Sequence, residues 1–193
     1  MNRRIILLFS VLVVAAALIG ITFSMSSFRG EIAPTPTPED LTLAQVGDDA
    51  IKYQEWFTRY QLDLLMSELA GQPAPGARET LERMINAILV LRAYPPQHTP
   101  THDEVREHIQ ALEAGWGLDD TALETRLREI NMSYAQFEEM VADLLTLEIA
   151  QQLLIVDQDP AAWIAQARGE ADVIVDESLL RSLPHFAKEI TQP

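Results

Sequence analysis

Four histidines are the residues most able to bind a metal, and their spacing argues against such a site. His98 and His102 are four residues apart, the spacing at which two imidazoles on one helix face share a metal ion. Pro100 stands between them, so a helix cannot present both rings. His108 and His185 have no partner at a ligand spacing. We therefore expect all four histidines on the surface.

Three pairs of adjacent carboxylates are candidates for acid–base chemistry, but each has a simpler structural explanation. Asp48-Asp49 and Asp119-Asp120 are expected at a turn and at a helix start, where Asp accepts hydrogen bonds from free backbone N–H groups. Glu138-Glu139 is expected on a solvated helix face. The sequence has no cysteine, no HExxH motif, no glycine-rich phosphate loop and no Ser-His-Asp order. It therefore predicts neither an enzyme nor a bound cofactor, metal or small-molecule substrate.

Composition sets the size and the charge of the protein. The 193 residues are 48% hydrophobic, with a formal net charge of -15, which fits one domain large enough to bury a core. The acidic balance argues against nucleic acid, because binding to phosphates requires a basic surface. All 29 acidic residues follow Gly30, together with only 11 of the 14 basic ones, so the chain beyond that point has a net charge of -18.

An uncharged segment near the N-terminus predicts membrane insertion. Residues 5–23 carry no charge and follow Arg3 and Arg4, and 19 residues of helix span about 28 Å, close to the thickness of a bilayer core. We interpret residues 1–29 as an uncleaved signal anchor with a cytoplasmic N-terminus in the plasma membrane. The alternative is a cleaved signal that leaves a secreted protein. Either way, everything after Arg29 is exported.

A proline-rich spacer is expected at residues 30–42. Pro34, Pro36 and Pro38 alternate with threonines, a pattern that favours extended polyproline geometry and excludes helix. The spacer would set the following domain off from the membrane surface.

Hydrophobic periodicity predicts a mainly α-helical domain with a small β element that pairs its two ends. Leu43–Lys52 is typical of a hairpin with its turn at Gly47, and the β-branched run Val173–Val175 favours a strand. A three-residue strand needs partners, so we expect it to pair with the hairpin. Residues 176–193 are predicted as a tail that begins with a short helix. Six helices are predicted between the β segments, over residues 54–70, 78–94, 102–114, 120–130, 134–156 and 160–168.

The order of these elements resembles the N-terminal chaperone domain of SurA, shared with PrsA-type foldases. Residues 43–175 carry the resemblance, although Asn131-Met132 stands where this family usually has Gly-Leu or Gly-Met. The matching segments are VGDDAIKYQEWF at 46–57, TLERMINAILVLRAY at 80–94, the T-x-x-E-V step at 101–105, the SYAQF turn at 133–137 and AAWIAQARGEADVIV at 161–175.

The resemblance implies a chaperone domain without its usual catalytic partner. In this family, a parvulin-type prolyl isomerase domain is usually inserted between the long helix and the closing helix. Here only Asp157-Gln158 separate Val156 from the next helix start at Asp159-Pro160, and no such domain fits. Catalysis therefore does not carry over to this chain.

Large apolar residues away from the main helix stripes are candidates for a peptide-binding groove. A surface that binds many clients is rich in Met and aromatic side chains, because these can repack. Phe57, Tyr60 and Phe137 are expected in the core. The groove candidates, for which core packing is the alternative, are Trp56, Met66, Trp116 and Met132.

The sequence thus predicts a membrane-tethered, extracytoplasmic, chaperone-like module. Its partners would be unfolded or nascent exported polypeptides, bound without catalysis, and its membrane contact would be the N-terminal helix. The alternative is a non-catalytic scaffold or assembly subunit that grips one specific protein.

Overall fold

The computed structural model describes residues 41–157 and 159–182 of the chain. Within these ranges, no helix combines the length and the apolar character needed to span a bilayer. The predicted anchor at residues 1–29, nearly all of the predicted spacer and the tail beyond residue 182 lie outside the described residues. The predictions about them remain untested.

Three antiparallel strands form a small sheet in the order β2-β1-β3. β1 (Thr42–Val46) and β2 (Asp49–Lys52) form the predicted hairpin, and β3 (Val173–Val175) pairs with the other edge of β1. Gly47 adopts a φ of 56° at the turn, a left-handed conformation that costs glycine little.

Helices make up most of the described residues, so the prediction of a mainly helical domain with a small β element is confirmed. The long helix, α5, is Tyr134–Asp157. The six others in the described ranges are α1 (Tyr53–Leu69), α2 (Ala77–Ala93), α3 (His102–Trp116), α4 (Asp120–Glu129), α6 (Pro160–Glu170) and α7 (Glu177–Ser182).

Local capping chemistry fixes several helix starts where the sequence predicts them. Thr101 Oγ1 accepts from the Glu104 N–H at 3.3 Å, and the Glu104 carboxylate accepts from the Thr101 N–H at 2.7 Å. Ser133 and Gln136 form the same reciprocal arrangement at the start of α5. The predicted stops are less accurate, because α3 continues through Gly115 and α6 continues to Glu170.

The closing strand pairs as predicted. Val173 lies opposite Val46 and Val175 opposite Ala44, and the Asp176 N–H donates to the Leu43 carbonyl at 2.9 Å. Ile174, however, points away from the core and is 57% exposed. The two valines, and not all three residues, therefore anchor the strand.

Two main apolar clusters share α1. We call the first the sheet cluster, since it lies beneath the sheet and α2, and the second the helix cluster, since it lies among α1, α3, α4 and α5. The sheet cluster contains Leu43, Ala44, Val46, Ile51, Trp56, Tyr60, Leu81, Ile85 and Leu89. The helix cluster contains Leu62, Leu65, Val105, Ile109, Leu123, Leu127, Met132, Phe137 and Val141.

Candidate binding cleft

A cleft of about 270 Å³ opens where α1 faces the turn between α4 and α5. Three apolar side chains and five side chains with amide or hydroxyl groups line it. The α1 wall consists of Gln54, Phe57, Thr58 and Gln61, and the facing wall consists of Ile130, Asn131, Met132 and Gln136.

The α1 wall follows from helical spacing. Gln54, Phe57, Thr58 and Gln61 lie at positions i, i+3, i+4 and i+7, so they share one face. Phe57 is half-buried and packs on the sheet cluster. Neither Gln54 nor Gln61 forms a side-chain hydrogen bond with any described residue, so their amides are free to bind a ligand.

The facing wall is built by the C-terminal cap of α4. Asn131 has a φ of 56°; its N–H donates to the Arg128 carbonyl, and the Met132 N–H donates to the Leu127 carbonyl, each at 3.0 Å. This pair of bonds is a Schellman motif, in which a left-handed residue is followed by an apolar one that packs back on the helix. It explains why the family pattern has Gly-Leu or Gly-Met here, and why Asn serves in this chain.

Three exposed carboxylates lie on the helices next to the cleft without lining it: Glu55 on α1, and Glu139 and Asp143 on α5. Burial raises the pKa of Glu55, the backbone hydrogen bond from Lys52 opposes that shift, and the nearby Asp143 carboxylate adds to it. Burial and Glu139 raise the pKa of Asp143, while Arg59 opposes the shift. On α5, Glu139 and Asp143 follow Gln136 by three and seven residues, which places them along the same face. The rim of the cleft is therefore acidic.

Trp56 does not belong to this cleft. It is 0% exposed, stacks on Tyr60 with ring centroids 5.3 Å apart, and donates from Nε1 to the Ala77 carbonyl at 3.1 Å. The sequence expectation of an accessible Trp56 is therefore corrected, since the apolar surface of α1 is covered on this side by α2 and the sheet.

The other three candidates lie with the helix cluster. Met132 is only 4% exposed, yet it lines the cleft, whereas Met66 and Trp116 are half-buried against the same cluster. Tyr60 and Phe137 are core residues as expected. Phe57, expected wholly in the core, is instead shared between the sheet cluster and the cleft wall.

Sequence reasoning missed the polar half of the cleft. Gln54, Thr58 and Gln61 form a stripe of uncharged polar residues along α1, and that stripe was the available signal. Its partners on the other wall are about 70 residues away in sequence, so no local pattern connects them.

The histidines are placed differently from one another. His98 and His102 are exposed, as expected, but His108 is half-buried, and burial lowers its pKa although Glu148 opposes the shift. His185 lies outside the described residues. Within residues 41–157 and 159–182, no group of three or more His, Asp or Glu side chains has metal-binding geometry.

Comparison with known protein families places the chain in one of them. The family pattern of the SurA-like N-terminal domain matches residues 1–151, so the chain belongs to the SurA-like N-terminal domain family. No curated protein sequence matches the chain. This domain is the non-catalytic part of the family. Since α5 ends at Asp157 and α6 begins at Pro160, no isomerase domain is inserted between them.

Proposed function

We propose that this protein is a membrane-tethered, extracytoplasmic module that holds extended segments of unfolded polypeptide in the cleft between α1 and the α4–α5 turn, without catalysis. The observation that carries the proposal is the composition of that cleft, in which three apolar side chains lie among five side chains with amide or hydroxyl groups.

An extended polypeptide presents two features that such a cleft satisfies. Its apolar side chains gain from contact with Phe57, Ile130 and Met132, because apolar burial contributes about 25 cal/mol per Å². Its backbone N–H and C=O groups require partners once water is displaced, and the amides of Gln54 and Gln61 supply both donors and acceptors. Neither requirement depends on client sequence, which suits a general chaperone.

The sequence and the family support the proposed location. A SurA-like domain is a chaperone-type module, and residues 5–23 supply an anchor that would hold the domain near newly exported chains. The alternating prolines at 34–38 would keep the cleft clear of the bilayer.

A cleft-filling substitution tests the proposal. Thr58→Phe puts a bulky ring into the cleft while leaving the buried apolar residues unchanged. We expect the full chain, purified in mild detergent, to suppress aggregation of a chemically unfolded client, and the variant to lose most of that effect. Light scattering measures the suppression, and circular dichroism checks the fold.

Thr125→Phe is the matched control. Thr125 lies on the exposed face of α4, and its hydroxyl donates to the carbonyl four residues earlier, as that of Thr58 does. If both variants suppress aggregation as well as the wild type, the cleft is not the binding site. If the wild type protects none of several unrelated clients at stoichiometric excess, but one folded protein co-purifies with it, the scaffold function replaces the chaperone function.

A further inference from the structure

We propose that the groove between α1 and α5 selects polypeptide segments in which a Lys or Arg lies about three residues from an apolar anchor. This inference rests on the proposed function, because it names the class of client that the same cleft would hold. It derives from the carboxylates that lie next to the cleft on the two helices.

The first step is the geometry of the groove. Gln136 lines the cleft, and Asp143 lies seven residues further along α5, or about 10 Å at the helical rise of 1.5 Å per residue. Glu55 of α1 interacts electrostatically with Asp143. An extended peptide advances about 3.3 Å per residue, so three residues separate its anchor in the cleft from the carboxylates.

The second step is that these carboxylates form no direct ion pair. Among the described residues, Glu55, Glu139 and Asp143 form no ion pair with Lys, Arg or His. Arg59, the nearest cation, is hydrogen-bonded to Asp63 at 3.3 Å, and Asp63 also binds Arg83 at 2.6 Å. The acidic rim therefore keeps a net negative charge, which Arg59 offsets only in part at Asp143.

The third step is the energetic consequence. Burial and Asp143 raise the pKa of Glu55, and burial and Glu139 raise the pKa of Asp143, although Arg59 opposes the second shift. A cation from a client would relieve the repulsion among these carboxylates and replace the lost hydration, whereas an acidic client residue would add to the repulsion. The groove thus favours clients with a cation over clients with a carboxylate at a defined distance from the apolar anchor.

The test uses three fluorescently labelled peptides with one central Phe in a Gly-Ser background. One has Lys three residues to either side of the Phe, the second has Lys eight residues to either side, and the third has Glu at the three-residue positions. The first two have the same net charge, so they separate local pairing from general attraction to an acidic protein. Fluorescence anisotropy with the full chain in mild detergent gives the Kd values.

We expect the peptide with Lys three residues from the Phe to bind more tightly than the peptide with Lys eight residues away. The difference in Kd should be roughly two- to fivefold for each carboxylate engaged, the range for partly exposed ion pairs. The peptide with Glu should bind most weakly. The difference should shrink in 0.5 M salt. In Glu55→Gln/Asp143→Asn the first two peptides should bind equally. The control double variant Asp48→Asn/Glu107→Gln, which removes two exposed carboxylates that do not line the cleft, should keep the difference.

Equal binding of the first two peptides to the wild type would overturn the inference, as would a difference that persists in Glu55→Gln/Asp143→Asn. Failure of the proposed function has another signature, since then none of the three peptides binds, or Thr58→Phe leaves all three affinities unchanged.

Discussion

The sheet cluster and the helix cluster differ in how completely the buried polar side chains near them are hydrogen-bonded. On the sheet side, Trp56 Nε1 is bonded to the Ala77 carbonyl, and the buried Thr80 hydroxyl donates to Asp63 at 2.9 Å. Beside the helix cluster, Glu113 is 5% exposed, and its Oε1 has no hydrogen-bond partner among the described residues. Among the described residues, the buried side-chain oxygen without a partner therefore lies on the helix side, in a carboxyl group whose other interaction is with Asp120.

The cleft lies at the boundary between these halves. Its Phe57 wall packs on the sheet cluster, while Met132 on the facing wall belongs to the helix cluster. A well-bonded half therefore supports one wall, and the less completely bonded half supplies the other. Because local stability differs across a fold, we expect adjustment to different clients to come from the helix side.

The largest expected effect comes from removing the tryptophan that anchors the sheet cluster. Trp56→Ala should lower the free energy of unfolding by about 3–5 kcal/mol, because it leaves a large cavity and removes the hydrogen bond from Nε1 to the Ala77 carbonyl. Trp116→Ala, at a half-buried position beside the helix cluster, should cost less than half as much. Chemical denaturation of the full chain in detergent measures both, and equal costs would contradict the contrast between the clusters.

These two tryptophans also show how far sequence can predict this fold. Capping boxes at Thr101 and Ser133 and the need of Val173–Val175 for strand partners are local or nearly local signals, and the structure confirms them. The burial of Trp56 depends on α2 covering that side of α1, which the broad apolar surface of α1 does not indicate. The cleft is still less predictable, because its walls come from distant segments and half of its lining is polar.

A second, smaller effect concerns the strand that closes the sheet. Val175→Asp places a charge against the sheet cluster and should cost about 2 kcal/mol. Ile174→Asp, one residue away, should change stability by less than about 0.5 kcal/mol, since Ile174 is 57% exposed. Comparable losses in thermal melts of the two variants would show that the register of β3 is wrong.

The buried carboxyl on the helix side should make stability depend on pH. Burial and the nearby Asp120, with Asp119, raise the pKa of Glu113, while Arg106 opposes the shift. The folded state then holds the Glu113 proton more tightly than the unfolded state does, so protonation of Glu113 stabilises the fold. This stabilisation is complete below the unfolded pKa near 4.5 and is lost as pH rises through the folded pKa. Glu113→Gln should therefore raise the Tm at pH 7, by an amount equivalent to about 1 kcal/mol, and much less at pH 4.

Glu104 on the same helix is the matched control with the opposite sign. Hydrogen bonds from the Thr101 N–H and hydroxyl lower the pKa of Glu104. Ionised Glu104 therefore stabilises the folded state above its ordinary pKa, and this stabilisation is lost as pH falls through its lowered pKa in the folded state. Glu104→Gln should therefore lower the Tm at pH 7 and leave it nearly unchanged at the lowest pH. Parallel pH profiles for the two variants would refute the unsatisfied state of Glu113.

The smallest expected effect lies in the turn that shapes the cleft. Asn131→Gly should stabilise the protein slightly, by no more than about 0.5 kcal/mol, whereas Asn131→Ala should cost about 1 kcal/mol, because a left-handed φ strains an ordinary side chain. Denaturation midpoints measure both. A gain on Asn131→Ala would mean that the Schellman motif does not hold this turn.

The pairing of β1 with β3 also imposes an order in time. The two strands are about 130 residues apart in sequence, and such distant pairings form slowly. Synthesis runs from the N-terminus, so β1 cannot pair with β3 until almost the whole domain has been synthesised. All the residues that line the cleft lie between positions 54 and 136. The growing chain therefore contains a complete set of cleft residues well before the sheet can close.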